Sequence, residues 1–328
     1  MKKEIFKYNK INLNIDDYKT ISEISQGKFS TVYLVENKKT KKVYAAKIYR
    51  KNDMIIQNCL HRISWELKIV SNLNNNYFPK FLGTAQDTKK FYFLMEYFPG
   101  GDFFYWEKKI NDISDETCQF YMGQILLMIE TLHNQNIIYR DLKPENIILN
   151  IDGYLRLIDF GSAIALSNKT TKTFTLTGSP EFMAPEILLK KGHNFSVDFW
   201  SFGIFIYEFI TKENPFYHID PMESYAKIIK AQFKFPKNFP GFAKNLIRKL
   251  LVSNPKKRLG NLKGGIQDIK NHGFFSQTKW EDLKNQKIKP PFTPQLDSIT
   301  DTKYFSKYEV DVEEPKNILP QNDPFILW

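Results

Sequence analysis

The apolar pattern of this chain changes period once, and the change falls at Pro99-Gly100-Gly101. Before that break apolar and polar positions alternate in short runs; after it apolar positions recur at helical spacing over long ones. Residues 18–49 read as a strand meander punctuated at Gly27 and Asn37-Lys38-Lys39. Ile63, Glu66, Leu67 and Val70 fall at the spacing of a helix over 61–73, and two more strands are expected near 80–86 and 91–97. Beyond the break Ser114 is placed to cap a helix over 114–134, with Thr117 where a capping-box acid would stand. Helical spacing returns at 196–211, 221–232 and 241–253. A small strand-rich part joined at 96–100 to a larger helical part is the fold this pattern demands.

Composition removes several function classes. The most apolar run, Phe202 to Ile210, is too short to span a bilayer and carries Glu208. No signal-peptide core follows Met1-Lys2-Lys3, and Lys2 stands where N-myristoylation requires glycine. No membrane span is expected. Cys59 and Cys118 form no metal or disulfide pattern and are expected as buried free thiols in a reducing compartment, the cytoplasm with access to the nucleus. The formal charge of +11 is spread in short clusters such as Lys38-Lys39-Thr40-Lys41-Lys42, which reads as a solvated surface. A nucleic-acid-binding role is a rival that charge suggests, yet no reader motif supports it, and no specific nucleic-acid partner is expected.

The chemistry is concentrated in Tyr139-Arg140-Asp141-Leu142-Lys143-Pro144-Glu145-Asn146 and, a few residues on, Ile158-Asp159-Phe160-Gly161. Phosphoryl transfer needs positioning, charge neutralisation and an acceptor for the hydroxyl proton. Asp141 is the candidate proton acceptor, and Lys143 puts a cation beside the migrating group. Asn146 and Asp159 offer hard oxygen ligands for Mg²⁺. Upstream, Tyr44-Ala45-Ala46-Lys47 is a strand whose lysine can reach the phosphates of ATP, with Glu66 on the next helix to hold it by an ion pair. Ala184-Pro185-Glu186 closes the segment that begins at Asp159.

This set, in this chain order, resembles the eukaryotic protein-kinase signature. Lys143 after the catalytic aspartate is the Ser/Thr-kinase form. Tyr139 in place of the usual histidine, Arg258-Leu259-Gly260-Asn261, and Asp301-Thr302 followed by Phe305 and Tyr308 resemble the AGC group. Within it the chain is similar to the catalytic domain of cAMP- and cGMP-dependent kinases. Lys191-Gly192-His193, Asp220-Pro221-Met222 and Gly260-Asn261-Leu262-Lys263 lean toward the cGMP branch, and Phe325-Ile326-Leu327-Trp328 resembles a shortened C-terminal hydrophobic motif. The resemblance covers roughly residues 18–328 and leaves out the family's regulatory modules.

The resemblance implies an α+β, bilobal kinase fold with a β-rich N-lobe, a larger helical C-lobe and an AGC-type C-terminal tail. Its expected divisions are a short extension at 1–17, the N-lobe at 18–95, a hinge at 96–100, the C-lobe at 101–275 and the tail at 276–328. It implies ATP and Mg²⁺ as cofactors. Ile24, Val32, Ala45, Met95, Ile148 and Ile158 are expected around the adenine, with Met95 as gatekeeper, the backbones of Glu96 and Phe98 on the base, and Phe305 closing the slot. Asp102 is expected to touch the ribose, and Glu145 is expected among the ATP-binding residues. The glycine-rich loop falls on Ser25-Gln26-Gly27-Lys28-Phe29-Ser30, which keeps the middle glycine alone. Glycine lets the backbone approach phosphate closely, so Ser25 and Ser30 weaken the pattern. A pseudokinase scaffold is the rival they permit, opposed by the retention of Lys47, Glu66, Asp141, Asn146 and Asp159.

By the same resemblance Asp102, Glu145 and Glu208 read arginines before the acceptor residue, and Leu176, Pro180 and Met183 form a pocket for the residue after it. Protein substrates with basic residues before the acceptor are the expected partners, together with a separate cyclic-nucleotide-binding regulatory subunit and an upstream activating kinase. Thr175 is the expected activation-loop phosphosite, its phosphate paired with Arg140 and His61 and helped by Lys172. Glu186 with Arg258 is expected as a buried structural ion pair.

Overall fold

The computed structural model describes residues 11–27, 30–168, 171–305 and 323–325. The first part of the chain builds β1 (Tyr18–Gln26), β2 (Ser30–Asn37), β3 (Val43–Arg50), α1 (Lys51–Ile56), α2 (Leu60–Val70), β4 (Phe81–Gln86) and β5 (Lys90–Glu96). The strands form a five-stranded antiparallel sheet in the order β1-β2-β3-β5-β4. Register pairs Val32 with Lys47 and Ala45 with Met95. Because alternate residues of a strand share a face, Ala45, Lys47 and Tyr49 all point the same way from β3.

The second part contains α3 (Phe103–Glu107), α4 (Asp115–Asn134), the short strands β6 (Ile137–Ile138), β7 (Ile147–Leu149), β8 (Leu155–Leu157) and β9 (Ile164–Ala165), then α5 (Pro185–Leu188), α6 (Ser196–Thr211), α7 (Pro221–Lys230), α8 (Gly241–Leu250), α9 (Ile266–Lys270) and α10 (Trp280–Lys284). The Ser114 hydroxyl caps α4 by accepting the Thr117 N–H, as its place before the periodic run dictates. α6 is apolar nearly all round and lies in the middle of the large lobe. Phe103 of α3 stacks on Phe205 and Phe209 of α6 at 5.9 and 5.7 Å. That contact fixes the floor of the cleft relative to the hinge.

The hinge glycines answer to two close approaches. A Cβ on Gly100 would stand 1.8 Å from the Leu149 carbonyl oxygen, and Gly101 has φ +83° with Tyr304 packed against it. α7 stops earlier than its spacing suggested, because Ala231 adopts a left-handed φ of 50°. α1 was not expected; it forms where Lys51 and Met54 turn inward and are buried.

The tail expected over 276–328 does not begin as a separate element. Its beginning is helical and belongs to the large lobe: Leu283 of α10 is buried against Gly123 of α4. The Tyr154 hydroxyl then donates to the Ile288 carbonyl at 2.5 Å. Trp106 receives Phe292 and Tyr304 at centroid distances of 4.7 and 4.5 Å. Phe305 stacks on Tyr97 at the hinge. At the far end Phe325 packs on Phe91 at 5.4 Å and Asp323 pairs with Lys51 at 2.5 Å, so the tail returns to the small lobe. Tyr308 and the segment Ile326-Leu327-Trp328 lie outside the described residues. No helix among the described residues is long and apolar enough to cross a membrane.

Candidate active site

The loop after β6 is held from beneath by one buried carboxylate. Asp198 of α6 accepts the N–H groups of Arg140 at 2.8 Å and Tyr139 at 3.0 Å, and contacts His133 Nε2 at 2.8 Å. Arg140 has φ +69°, a strained setting for a side-chain-bearing residue. The Asp198 bonds keep it there and turn Asp141 into the cleft. Asp141 Oδ1 accepts from the Ser179 N–H at 2.8 Å and its hydroxyl at 2.9 Å, and Oδ2 accepts from Asn146 Nδ2 at 3.1 Å.

The second acid arrives on the turn after β8. The Tyr139 hydroxyl donates to the Ile158 carbonyl at 2.5 Å, and Phe160 packs edge-on against Phe78 and Tyr139. These contacts pin both neighbours of Asp159. Lys47 Nζ donates to Glu66 Oε1 at 2.7 Å and to Asp159 Oδ1 at 2.9 Å. Burial opposes the charge on Lys47, yet the carboxylates of Asp159 and Glu66 outweigh it and hold its ammonium well above the usual lysine range. Burial likewise opposes charge on Asp159, and the Lys47 ammonium wins, keeping that carboxyl below its ordinary value. Lys47 and Asp159 are therefore a charged pair at neutral pH.

Two adjoining cavities share Lys47 and Asp159. The inner slot, about 100 Å³, is lined by Ile24, Ser25, Val32, Ala45, Met95, Glu96, Tyr97, Phe98, Glu145, Asn146, Ile148, Ile158 and Phe305. It gathers the expected adenine residues at one place. Gln26 does not line the slot; nor does Asp102, whose carboxylate caps α3 by accepting the Tyr105 N–H at 2.8 Å. The outer cavity, about 370 Å³, is lined by Gly27, Ser30, Tyr49, Arg62, Asp141, Lys143, Leu176, Ser179 and Met183 among others. Pro180 is exposed and outside that lining, so it does not join Leu176 and Met183 there. Lys28 and Phe29 lie outside the described residues.

The donor set fits a hard divalent cation carried with phosphates. Asn146 commits its amide nitrogen to Asp141 O and Oδ2, at 2.8 and 3.1 Å, which directs its carbonyl oxygen the other way. Asp159 uses Oδ1 for Lys47 and the Gly161 N–H and keeps Oδ2 for a ligand. Two such oxygens suit Mg²⁺, which takes a few carboxylate or carbonyl ligands and completes its shell with phosphate and water. No group of three or more His, Cys, Asp or Glu side chains forms a metal cage among the described residues.

Asp102, Glu145 and Glu208 form an acidic group. Burial, and then the neighbouring Glu145, raise Glu208 to about 7, and burial raises Asp102 to about 6. The sequence reading missed a fourth member. Glu107 lies one helical turn after Phe103 on α3, facing Glu208; burial and that like charge push it to about 8. It is 2% exposed, and its Oε2 has no hydrogen-bond partner among the described residues.

Thr175 is exposed on the activation segment. Arg140 is buried, donates Nε to the Ser162 carbonyl at 2.6 Å, and leaves Nη1 unpartnered among the described residues. His61, expected beside that phosphate, is exposed. Arg62 lines the outer cavity, and its charge adds to the burial that lowers Arg140 to about 10. The signal was available, since Arg62 and Glu66 are four residues apart and share a helix face, whereas His61 is five away. Glu186 and Arg258 do pair, with Nη1 and Nη2 at 2.7 and 2.9 Å from the two carboxylate oxygens, both residues buried.

Residues 18–275 match the protein kinase domain family. Over 310 residues the chain is 36% identical to the human cAMP-dependent protein kinase catalytic subunit PRKX, covering 94% of this chain and 86% of that one. It is 38% identical over 303 residues to the cAMP-dependent protein kinase catalytic subunit of Dictyostelium discoideum, covering 92% and 46% of the two chains. It is 37% identical over 307 residues to a Drosophila melanogaster cGMP-dependent protein kinase, isozyme 2, covering 93% and 33%. The chain thus spans less than half the length of the Dictyostelium and Drosophila relatives.

Proposed function

The chain belongs to the protein kinase family, as an ATP-dependent Ser/Thr kinase of AGC type, and from that premise we propose that it phosphorylates proteins at sites preceded by arginine or lysine. The observation that carries the transfer chemistry is the convergence of Asp141, Asn146, Asp159 and Lys47 on two joined cavities. Asp141, held by Ser179 and Asn146, accepts the proton of the incoming hydroxyl. Lys47, aligned by Glu66, binds phosphate oxygens and keeps the γ-phosphoryl in line. Lys143, in the same cavity, meets the charge that develops on transfer. Asn146 and Asp159 would hold Mg²⁺, which neutralises the triphosphate when bound.

The basic preference draws support from the acidic group formed by Asp102, Glu107, Glu145 and Glu208. A guanidinium placed among them satisfies carboxylates, of which burial penalises Glu107, Glu208 and Asp102, and planar Arg pairs with them better than Lys. Phosphate on Thr175 would pair with Arg140 and Arg62, two guanidinium groups suited to it. A separate cyclic-nucleotide-binding subunit and an activating kinase are further partners in this reading. The buried, unpaired Cys59 and Cys118 favour a reducing, cytoplasmic setting with access to the nucleus.

The test is a peptide array scored for phosphorylation with each flanking position varied. Enrichment of arginine two and three residues before the acceptor is expected. Enrichment of acidic flanks would overturn the substrate reading while leaving the kinase assignment in place.

A further inference from the structure

Tyr49 lies two residues beyond Lys47 on β3, on the same face, and is 4% exposed. Its hydroxyl donates to Glu66 Oε2, while Lys47 takes Glu66 Oε1 at 2.7 Å. Lys47 Nζ also stands 5.4 Å from the centroid of the Tyr49 ring, within the range of a cation over an aromatic face. One buried side chain therefore touches both members of the ion pair. Both Glu66 oxygens are bonded to β3, so α2 is fastened to the sheet at two points rather than one.

We propose that Tyr49 is a positioning residue of the active site: its hydroxyl fixes the Glu66 carboxylate and, through it, the Lys47 ammonium. The proposal rests on Lys47 and Glu66 serving phosphoryl transfer. Lys47 has three N–H donors, two of which go to Glu66 and Asp159. The third points usefully at phosphate oxygens only while Glu66 holds one rotamer. An apolar side chain in place of Tyr49 leaves Oε2 buried with no donor, and the carboxylate is then free to turn or to take up a proton.

The charged groups around Glu66 decide the sign of the pH effect. Lys47 and Tyr49 face it from β3, Asp159 from the turn after β8, and Arg62 lies one turn earlier on α2. The neighbouring β9 contributes Ile164 and Ala165, which carry no charge. Burial raises the Glu66 carboxyl and Asp159 adds to this; Lys47 and the Tyr49 hydroxyl pull it down. Loss of the hydroxyl therefore moves Glu66 upward, and the acid limb of kcat/KM for ATP moves with it to higher pH.

The experiment uses the full chain carrying Tyr49→Phe, which keeps the ring, with Glu66→Gln alone and the two combined. Tyr49→Phe should raise the KM for ATP about tenfold, leave the KM for peptide unchanged and shift the acid limb upward. In the Glu66→Gln background Tyr49→Phe should change nucleotide affinity no further, since its effect passes through Glu66. An unchanged KM for ATP, an acid limb that stays in place, or a Tyr49→Phe penalty that persists in the Glu66→Gln background each overturns the proposal. Wild-type turnover in Glu66→Gln alone would instead remove the reading on which it stands.

Discussion

Asp141 and Ser179, 38 residues apart, are joined twice: Oδ1 of the acid accepts both the backbone N–H and the hydroxyl of the serine. The loop that carries Asp141, the proposed proton acceptor, is thereby tied to the segment around Ser179. Asp141→Asn preserves shape but removes the basic oxygen, and its amide meets the Ser179 N–H as a second donor. Turnover should fall by about 10²–10⁴ with ATP affinity within about threefold of wild type, measured by steady-state kinetics and nucleotide titration. Turnover near the wild-type level would remove Asp141 from its role.

The acidic group on the substrate side should make peptide binding depend on pH. Glu208 at about 7 and Glu107 at about 8 are neutral below those values and anionic above them. An arginine needs the anions, so the KM of an arginine-containing peptide should fall as pH rises from about 6 to about 8. Glu208→Gln should flatten that slope, and an arginine-free peptide should show none of it. The same shifts act on stability with a definite sign. Glu107 is raised on folding from 4.5 to about 8, so the folded chain binds more protons than the unfolded one across that window. Its contribution therefore weakens stability as pH climbs through it, which denaturant titration at several pH values can read.

Thr175 supplies a regulatory prediction. Arg140 Nη1 is buried without a partner among the described residues, and Arg62 lines the cavity close by. Phosphate on Thr175 would give Arg140 Nη1 a partner and draw α2, with Glu66, toward the catalytic loop. Thr175→Ala should lower kcat at least several-fold, and Arg62→Ala should blunt the response to phosphorylation more than His61→Ala does. Equal activity of Thr175→Ala and the wild type would end this account of activation.

The Glu186–Arg258 pair predicts stability rather than catalysis. Arg258 is fully buried, and its guanidinium also donates to the carbonyls of Ser196 and Val252 and lies over the Trp200 ring. Removing it strands a buried carboxylate, so Arg258→Ala should cost about 3–5 kcal/mol, seen as a lower midpoint in chemical denaturation. A loss below about 1 kcal/mol would show the pair to be solvated.

Much of this architecture was legible because local chemistry and tertiary need agree. The Ser114 cap, the alternation through Ala45 and Lys47, and the 196–211 helix are written in residue type and spacing, and the structure uses them as written. The misses come where three-dimensional neighbours decide. Glu107 carries an ordinary acidic letter, and its chemistry comes from Phe103 stacking on α6, which drags the next turn into the interior. Tyr49 reads as a strand-favouring aromatic until Glu66 is found at its hydroxyl. The short helix at the start of the tail depends on a neighbour far away in the chain, since Leu283 packs into the opening over Gly123.

The central claim is that this chain moves the γ-phosphoryl of Mg-ATP to a Ser or Thr hydroxyl beside basic residues. The direct measurement is transfer from γ-labelled ATP, by the purified chain, to a serine peptide with two preceding arginines and to its alanine counterpart, with and without EDTA. Stoichiometric label on serine, at least tenfold faster for the arginine peptide and abolished by EDTA, is the predicted result. ATP that binds while neither peptide acquires label, under conditions that also phosphorylate Thr175, would contradict it.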